Sequence, residues 1–322
     1  MSLRALLDDG RRFDAEYAGG LSNHLPMALV ALASLGADDA RLAAFAQHYA
    51  QRLAPAPAPV GWPAGDAWAS RLGELESFAA YCDLFEQWLG HESAASVLQQ
   101  ALPVLMAGVG ANAFHGIIRT GCAVRAGHHG ELASGLAYWA CRWLDLGMSR
   151  AAGRTIDPAR LLARLAPPAG RADLIYQRMQ LAAATPGFAA VVNQFKVTDD
   201  TLPRLARLAA LLYAGSGNFT ALHLVTSAHA MRLLMPFVED PAPALRSYWR
   251  AFAAGVMASG LQAGEPPASR PWPDLVAAAT ASPDEHLIKL VDSCREEQRA
   301  YGGAEDWQRA ATCAVDKAAS SA

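Results

Sequence analysis

The stretch of residues 38–53 reads DDARLAAFAQHYAQRL. Acidic residues open it and a basic residue stands near its end, which complements the partial charges at the two ends of an α-helix. The same helical spacing of apolar residues recurs along the chain. It predicts further helices over 2–17, 25–35, 70–89, 92–107, 112–126, 131–147, 157–165, 171–183, 201–214, 219–236, 242–261, 271–280, 284–300 and 304–318. The sequence therefore predicts an all-α fold.

Composition supports this prediction and limits the function classes. Of 322 residues, 52% are hydrophobic and 8% aromatic, a mixture that favours helix over strand. Length alone leans towards two domains, but one large domain is also possible, and we predict a single helical domain over 1–322. A net charge of −3 gives no electrostatic reason to expect binding to nucleic acid or an anionic membrane.

The cysteine pattern and the lack of targeting signals indicate the cellular compartment of the protein. The five cysteines are scattered without a Cys-x-x-Cys pair, which is typical of reduced thiols in the cytoplasm. No secretory signal is apparent, and no stretch approaches the roughly 18 apolar residues of a membrane span. We expect a cytoplasmic protein without membrane insertion; the sequence does not indicate its oligomeric state.

Two segments rich in proline or glycine interrupt the helical pattern. The segment APAPAPVGWPAG (54–65) could mark a domain boundary, but Trp62 within it and Trp68 after it favour a loop that packs against the body. Gly108, Gly110 and Ala113 match the Gly-x-Gly-x-x-Ala pattern of dinucleotide-binding turns. That motif needs a preceding strand, whereas the residues before it have helical spacing, so we interpret the glycines as a turn between helices.

Four of the nine histidines share a setting near the start of an apolar helix: His24, His115, His223 and His286. Asn23 is a plausible N-cap for the first of these helices. Imidazole is a common ligand for Zn, Fe, Cu and Ni, and metal sites in helical proteins use side chains that project inward from different helices. Singly, each histidine is more often a hydrogen-bonded core residue. Together, the four favour a central, inward-facing metal site.

Two further residues near these histidines leave alternatives open. His229 follows His223 by six residues, so the two side chains point about 120° apart on an ideal helix. Only one of them is expected to face a given site; we choose His223 and keep His229 as the alternative. Arg119, one turn after His115, could offset negative charge on a substrate or form a surface salt bridge.

Lys289 is one of only three lysines and lies in DEHLIKLV (284–291). Its apolar neighbours indicate that its side chain does not lie entirely in water, and its i, i+3 spacing from His286 places both on one helix face. A buried, neutral lysine amine can react with carbon dioxide to form a carbamate, whose oxygens are ligand-like. The alternative is a packed stem whose ammonium reaches water or Asp292. The preceding SPDE (282–285) has capping-box spacing, which gives its acids a structural role.

Five segments resemble the questin oxidase-like family: SNHLPMALVAL (22–32), AFHGIIR (113–119), GLAYWA (135–140), LHLVTSAHAMR (222–232) and DEHLIKLV (284–291). They occur in order along the chain, and the last two are the most specific. The resemblance implies oxidative cleavage of anthraquinone-type polyketides, described as Baeyer–Villiger-like or as dioxygenase ring opening. It also implies a mononuclear non-haem iron held by His24, His115, His223, His286 and a carboxylated Lys289.

The leading hypothesis is an Fe(II)-dependent oxygenase that acts with dioxygen on a small aromatic, quinone-like or polyketide-like substrate. Zn or Ni could occupy the same site after purification. One alternative is a metal-free, NADPH-dependent oxygenase, although no nucleotide motif supports it. Another is a non-catalytic helical protein that binds small molecules and keeps its histidines in the core. The sequence does not indicate the catalytic acid or base.

Overall fold

The structure is a computed structural model that describes residues 1–58, 60–63, 65–148, 153–262, 264–303 and 305–320. These residues contain sixteen α-helices: α1 Leu3–Gly10, α2 Leu25–Leu35, α3 Asp39–Ala50, α4 Phe78–His91, α5 Ala94–Leu105, α6 Ala111–Ala126, α7 His129–Cys141, α8 Pro158–Leu162, α9 Ile175–Ala184, α10 Phe188–Val192, α11 Thr201–Ala214, α12 Phe219–Leu234, α13 Pro241–Ser259, α14 Trp272–Ala281, α15 Glu285–Tyr301 and α16 Asp306–Ser320. Short 3₁₀ turns cover Trp68–Arg71, Leu75–Ser77, Met106–Gly108 and Met235–Phe237, and two strands, β1 Glu16–Tyr17 and β2 Leu21–Ser22, pair antiparallel. Within these described ranges, no helix is both long and apolar enough to cross a membrane.

The all-α prediction is confirmed, and α2 and α11 begin and end as predicted. The helix predicted over 2–17 is wrong beyond Gly10, because the chain turns there into the β1–β2 hairpin. Gly19 and Gly20, with φ of 81° and 117°, form the tight hairpin turn, which glycine tolerates without a steric penalty. The short helix α10 was not predicted.

The proline-rich loop packs against the body where it is described, as predicted. Trp62 lies against Tyr81 with ring centroids 4.8 Å apart, and the guanidinium of Arg71 lies over the same indole ring. Pro59 and Ala64 of this loop lie outside the described residues, as does Ala304 at the start of the last predicted helix.

Four helices form the centre of the fold. Helix α2 packs against α6, α6 against α12, α12 against α15, and α15 against α2, which closes a ring of four. Further along these helices, Arg125 near the end of α6 contacts Ser34 near the end of α2, Asp292 in the middle of α15 and His229 in the second half of α12. The four helices therefore run in the same direction, and their N-terminal ends lie together.

Small residues let the helices around this bundle approach closely. Gly116 on α6 faces α7 so tightly that an added Cβ atom would lie 2.8 Å from the Cα atom of Trp139. The buried apolar residues of the bundle and of the helices around it form one continuous core. This packing leaves little freedom for the start of α6 to move.

We expect Gly116→Ala to lower the free energy of unfolding by about 1–3 kcal/mol, because the new methyl group meets backbone that cannot move aside. Gly90 is the matched control: it is also helical, but an added Cβ atom would have no neighbour within 4 Å. Gly90→Ala should raise the free energy of unfolding by up to about 1 kcal/mol through helix propensity alone. Urea unfolding measures both. Equal effects of the two substitutions would show that the contact at Gly116 is unimportant.

The Gly108-x-Gly110 pattern follows helix α5 and a 3₁₀ turn, not a strand. Its first glycine has a packing role, because a Cβ atom there would lie 2.4 Å from the indole ring of Trp143. The interpretation of these glycines as a turn between helices therefore agrees with the structure.

Candidate metal centre

The four histidines chosen from the sequence meet where the four helices of the bundle begin. The Nε2 atoms of His24 and His115 are 2.8 Å apart. The ring centroids of His24 and His286 are 4.6 Å apart, and those of His115 and His223 are 4.8 Å apart. The centroids of His223 and His286 are 6.0 Å apart. We call these four residues the histidine cluster; all but the half-buried His286 are buried.

His24 is held just before α2 by contacts on both sides. The Asn23 side chain accepts a hydrogen bond from the N–H of Leu25 at 3.0 Å and donates one to the carbonyl of Asp14 at 3.0 Å. The N–H of His24 itself donates to the hydroxyl of Tyr49 at 3.2 Å. Asn23 therefore fixes the start of α2, but the N-cap is His24, so the prediction of Asn23 as the N-cap is wrong by one residue.

His115 follows a strained turn of backbone. Asn112, Ala113 and Phe114 have φ values of 40°, 57° and 71°, in the left-handed region that residues with a Cβ atom rarely adopt. The Asn112 side chain is fixed by the hydroxyls of Ser22 and Tyr138, at 3.1 and 2.5 Å. The Asn112 carbonyl accepts the Nδ1–H of His115 at 2.6 Å. The strained turn therefore orients the imidazole ring.

His115 and His223 are each oriented by a backbone carbonyl. The Nδ1 atom of His223 donates to the carbonyl of Phe219 at 2.8 Å, one helical turn earlier. A carbonyl oxygen only accepts, so the proton of each neutral ring is on Nδ1 and the lone pair is on Nε2. Metal-bound histidines in proteins are usually held in this way by their second ring nitrogen.

At the start of α15, Asp284 is the N-cap: its side chain accepts from the N–H of His286 at 2.8 Å. The predicted capping box beginning at Ser282 is therefore wrong by two residues. Glu285 is free of a capping role, and its carboxylate turns into the histidine cluster. Its Oε1 atom lies 3.5 Å from Nδ1 of His24 and 3.6 Å from Nδ1 of His286. Ligand atoms of these three residues lie within 4.8 Å of one another.

One feature of the sequence points to Glu285 as a residue of the site. Asp284 alone satisfies the first turn of α15, so a second acid was not needed there. Glu285 and Lys289 are spaced i, i+4 and so lie on the same face of the helix.

Burial lowers the pKa of all four cluster histidines, and the neighbouring ammonium of Lys289 lowers them further. For His115 the pKa falls to about 3. At neutral pH the imidazoles are therefore uncharged and have lone pairs available, which is the form that binds a metal ion. The Nδ1 atom of His24 and the Nε2 atom of His286 are buried without a hydrogen-bond partner in the described chain.

Lys289 lies one turn further into the bundle and is only 4% exposed. Burial lowers the pKa of its ammonium to about 8, an effect that the Glu285 carboxylate opposes. No hydrogen bond or ion pair joins it to any described residue. It lines a cavity of about 10 Å³ together with Cys122, His229 and Asp292. A buried amine without a hydrogen-bond or ion-pair partner in the described chain therefore lies one helical turn beyond His286.

His229 and Arg119 lie outside the histidine cluster. Nδ1 of His229 is 2.7 Å from the fully buried carboxylate of Glu297, in a network at the far end of the bundle. Arg119 forms a buried ion pair with Glu131, with N–O distances of 2.5 and 3.0 Å, and lines a different cavity. Of the two histidines left open by the sequence, the structure brings His223 to the cluster.

A cavity of about 350 Å³ opens onto the histidine cluster, and we call it the histidine cavity. Its walls are largely apolar, with Leu21 from the hairpin, Leu174 and Ile175 from the start of α9, and Phe219 from the start of α12. Phe219 is 51% exposed and stands edge-on to His223 and His286. A second cavity of about 370 Å³ reaches His286 from the other side of Phe219.

A family model described as Questin oxidase-like matches residues 21–294, a range that contains all four cluster histidines, Glu285 and Lys289. No curated protein matches the chain.

Proposed function

The chain belongs to the questin oxidase-like family, and from this premise we propose that it is a non-haem, iron-dependent oxygenase of small aromatic or quinone-like molecules. Family membership points to an oxidoreductase that acts on a small molecule. The dependence on iron, the use of dioxygen and the reaction type, ring cleavage or Baeyer–Villiger-type oxidation, are our proposal. The observation that carries it is the convergence of four neutral imidazoles beneath a cavity with apolar walls.

The histidine cluster fits a metal ion. Two ligand nitrogens about 2.1 Å from one ion and at right angles to each other are about 3 Å apart, close to the 2.8 Å between the Nε2 atoms of His24 and His115. Carbonyl contacts leave Nε2 of His115 and of His223 as the lone-pair nitrogens. We propose that His24, His115, His223 and His286 hold the ion. Neutral imidazoles with an anionic oxygen ligand suit Fe(II).

We propose Lys289 as the source of the anionic oxygen. Its unpaired amine, with a pKa of about 8, is accessible as the neutral base near physiological pH. Carbon dioxide adds to that amine: an N–C bond forms, one proton is released, and a carbamate with one negative charge remains. Glu285 is the competing candidate, because its carboxylate already lies 3.5 Å from His24.

Ferrous iron, when bound, supplies the one-electron chemistry that dioxygen requires. The protein itself binds the substrate, stabilises its negative charge and accepts its proton. Leu21, Leu174, Ile175 and Phe219 present apolar surface to an aromatic ring. The N-terminal ends of four helices meet at the cluster, and their partial positive charges stabilise an anionic oxygen on the substrate. With Lys289 as the anionic ligand, the Glu285 carboxylate is placed to accept a proton from an acidic hydroxyl of the substrate.

His223 and His229 provide a matched test of the ligand assignment. We expect His223→Ala to weaken Fe(II) binding by more than the ~10- to 100-fold that follows the loss of an outer hydrogen-bond partner. His229→Ala should leave iron content unchanged and lower the free energy of unfolding by about 1–3 kcal/mol, because Glu297 loses a buried partner. Metal analysis and urea unfolding give both quantities. Iron loss from His229→Ala but not from His223→Ala would reverse the assignment.

The two alternatives both expect a protein without metal. A metal-free, NADPH-dependent oxygenase would bind the nucleotide without iron, and a non-catalytic binding protein would keep its fold and ligand affinity when the cluster histidines are changed. Metal analysis of protein purified without chelators separates both from the iron proposal.

A further inference from the structure

Arg178 lies in the first turns of α9 and lines the histidine cavity beside Leu174 and Ile175. It is half-buried, and its Nε atom is buried without a hydrogen-bond partner. No carboxylate among the described residues lies within 4.0 Å of its guanidinium nitrogens, and no aromatic ring of that part of the chain stacks on it. A permanent positive charge therefore faces the cavity without a counterion.

Other buried or half-buried arginines near the bundle are paired. Each forms two hydrogen bonds with one carboxylate: Arg119 with Glu131, Arg125 with Asp292, and Arg142 with Glu16. A guanidinium stays charged at any physiological pH, and a buried donor left unpaired is destabilising. Arg178 differs from these three arginines because no carboxylate of the described chain balances its charge.

Two carboxylates also line the histidine cavity, but neither neutralises Arg178. Glu285 contacts His24 and His286 and lies 3.7 Å from Arg52. Asp173 is exposed at the mouth of the cavity and forms no ion pair with Arg178. Among the described residues that line this cavity, Arg178 is the only arginine or lysine, and no carboxylate lies within 4.0 Å of its guanidinium nitrogens.

We infer that Arg178 determines substrate specificity by binding an anionic oxygen, so that the histidine cavity selects aromatic acids over neutral molecules of the same shape. The apolar walls accept the ring, and the planar guanidinium donates to a phenolate, enolate or carboxylate oxygen. This inference rests on the proposed function, because it assigns the substrate class of the same cavity.

The test uses two probes with the same ring system, 2-naphthoate and its neutral counterpart 2-naphthamide, titrated by calorimetry. Each is titrated into metal-free and zinc-loaded protein, which separates binding by Arg178 from binding by the metal. We expect the wild type to bind naphthoate about 10-fold or more tightly than naphthamide in both forms. Arg178→Gln should remove this preference and leave naphthamide affinity unchanged. Arg178→Lys keeps the charge without the planar fork and should retain part of the preference.

Arg171→Gln is the control, since Arg171 is exposed just before α9 and does not line the cavity. The inference is overturned if the wild type binds naphthoate no better than naphthamide, including the case in which neither binds. It is equally overturned if Arg178→Gln weakens both probes alike, because the arginine would then only shape the wall. Failure of the iron proposal would appear in metal content instead, and would leave the metal-free titrations unaffected.

Discussion

Lys289→Met is expected to lose iron while the protein stays folded. The thioether cannot form a carbamate, so the anionic ligand disappears, and Fe(II) affinity should fall by about 100-fold or more. The free energy of unfolding of the metal-free protein should instead rise in this variant. Burial lowers the pKa of Lys289 from 10.5 to about 8, so the folded state disfavours its charged form. That destabilisation is fully present below pH 8 and disappears as the pH rises towards 10.5.

Lys289→Met should therefore raise the free energy of unfolding of the metal-free protein by about 3 kcal/mol at pH 7, because the variant has no charged group to bury. It should also abolish the rise in stability between about pH 8 and 10.5. Carbon-13 NMR of protein equilibrated with labelled bicarbonate gives a further measurement, since a carbamate resonance is expected in the wild type and not in the variant. Lys196→Met, at an exposed position, is the control.

Glu285→Gln distinguishes the two candidate anionic ligands. If Lys289 provides the ligand, Glu285→Gln keeps iron stoichiometric and impairs only steps that need a proton acceptor. Retention of iron in Lys289→Met together with its loss in Glu285→Gln would contradict the carbamate proposal. It would assign the ligand to the carboxylate that lies 3.5 Å from His24.

Removal and replacement of the metal should have an equally large effect. We expect protein treated with a chelator to lose iron, and anaerobic Fe(II) to restore one ion per chain. Nitric oxide, a dioxygen surrogate, should then bind and give the electron paramagnetic resonance signal of a ferrous nitrosyl complex. Zinc should fill the same histidine cluster but give no signal, because it has no redox chemistry. NADPH should not substitute for iron.

Nitric oxide binding should also fail in His223→Ala and persist in His229→Ala. An iron-loaded protein that binds no nitric oxide would show that the iron has no open position for dioxygen. Such a result would favour a non-catalytic role for the metal, even with all four histidines as ligands.

Local sequence patterns were sufficient for most helices but not for their arrangement. The apolar spacing in 25–35 and 201–214 depends only on neighbours along the chain, and both helices begin and end as predicted. The parallel ring of α2, α6, α12 and α15 depends on pairings between segments up to about 260 residues apart, as for His24 and His286. The only sign of this arrangement in the sequence is that a histidine recurs near the start of each of these four helices.

Two features of the site could not be predicted because tertiary contacts override local preference. Residues 112–114 contain no glycine and read as helix, yet they adopt left-handed backbone that contacts of Asn112 with Ser22 and Tyr138 help to hold. The sequence predicts a capping role for Glu285, because capping spacing is visible in a sequence whereas the direction of a side chain towards His24 is not. Arg178 likewise could not be singled out from the sequence, because the lack of a hydrogen-bond partner at its Nε atom depends on the folded chain.

The central claim is that iron is held by the four cluster histidines together with a carboxylated Lys289. The most direct test is an anomalous difference map at the iron edge, from crystals loaded anaerobically with Fe(II) in bicarbonate buffer. We expect one peak per chain, bonded to nitrogens of His24, His115, His223 and His286 and to an oxygen of density that extends from the Lys289 amine. A histidine cluster without an iron peak, or a peak beside an unmodified lysine, would contradict it.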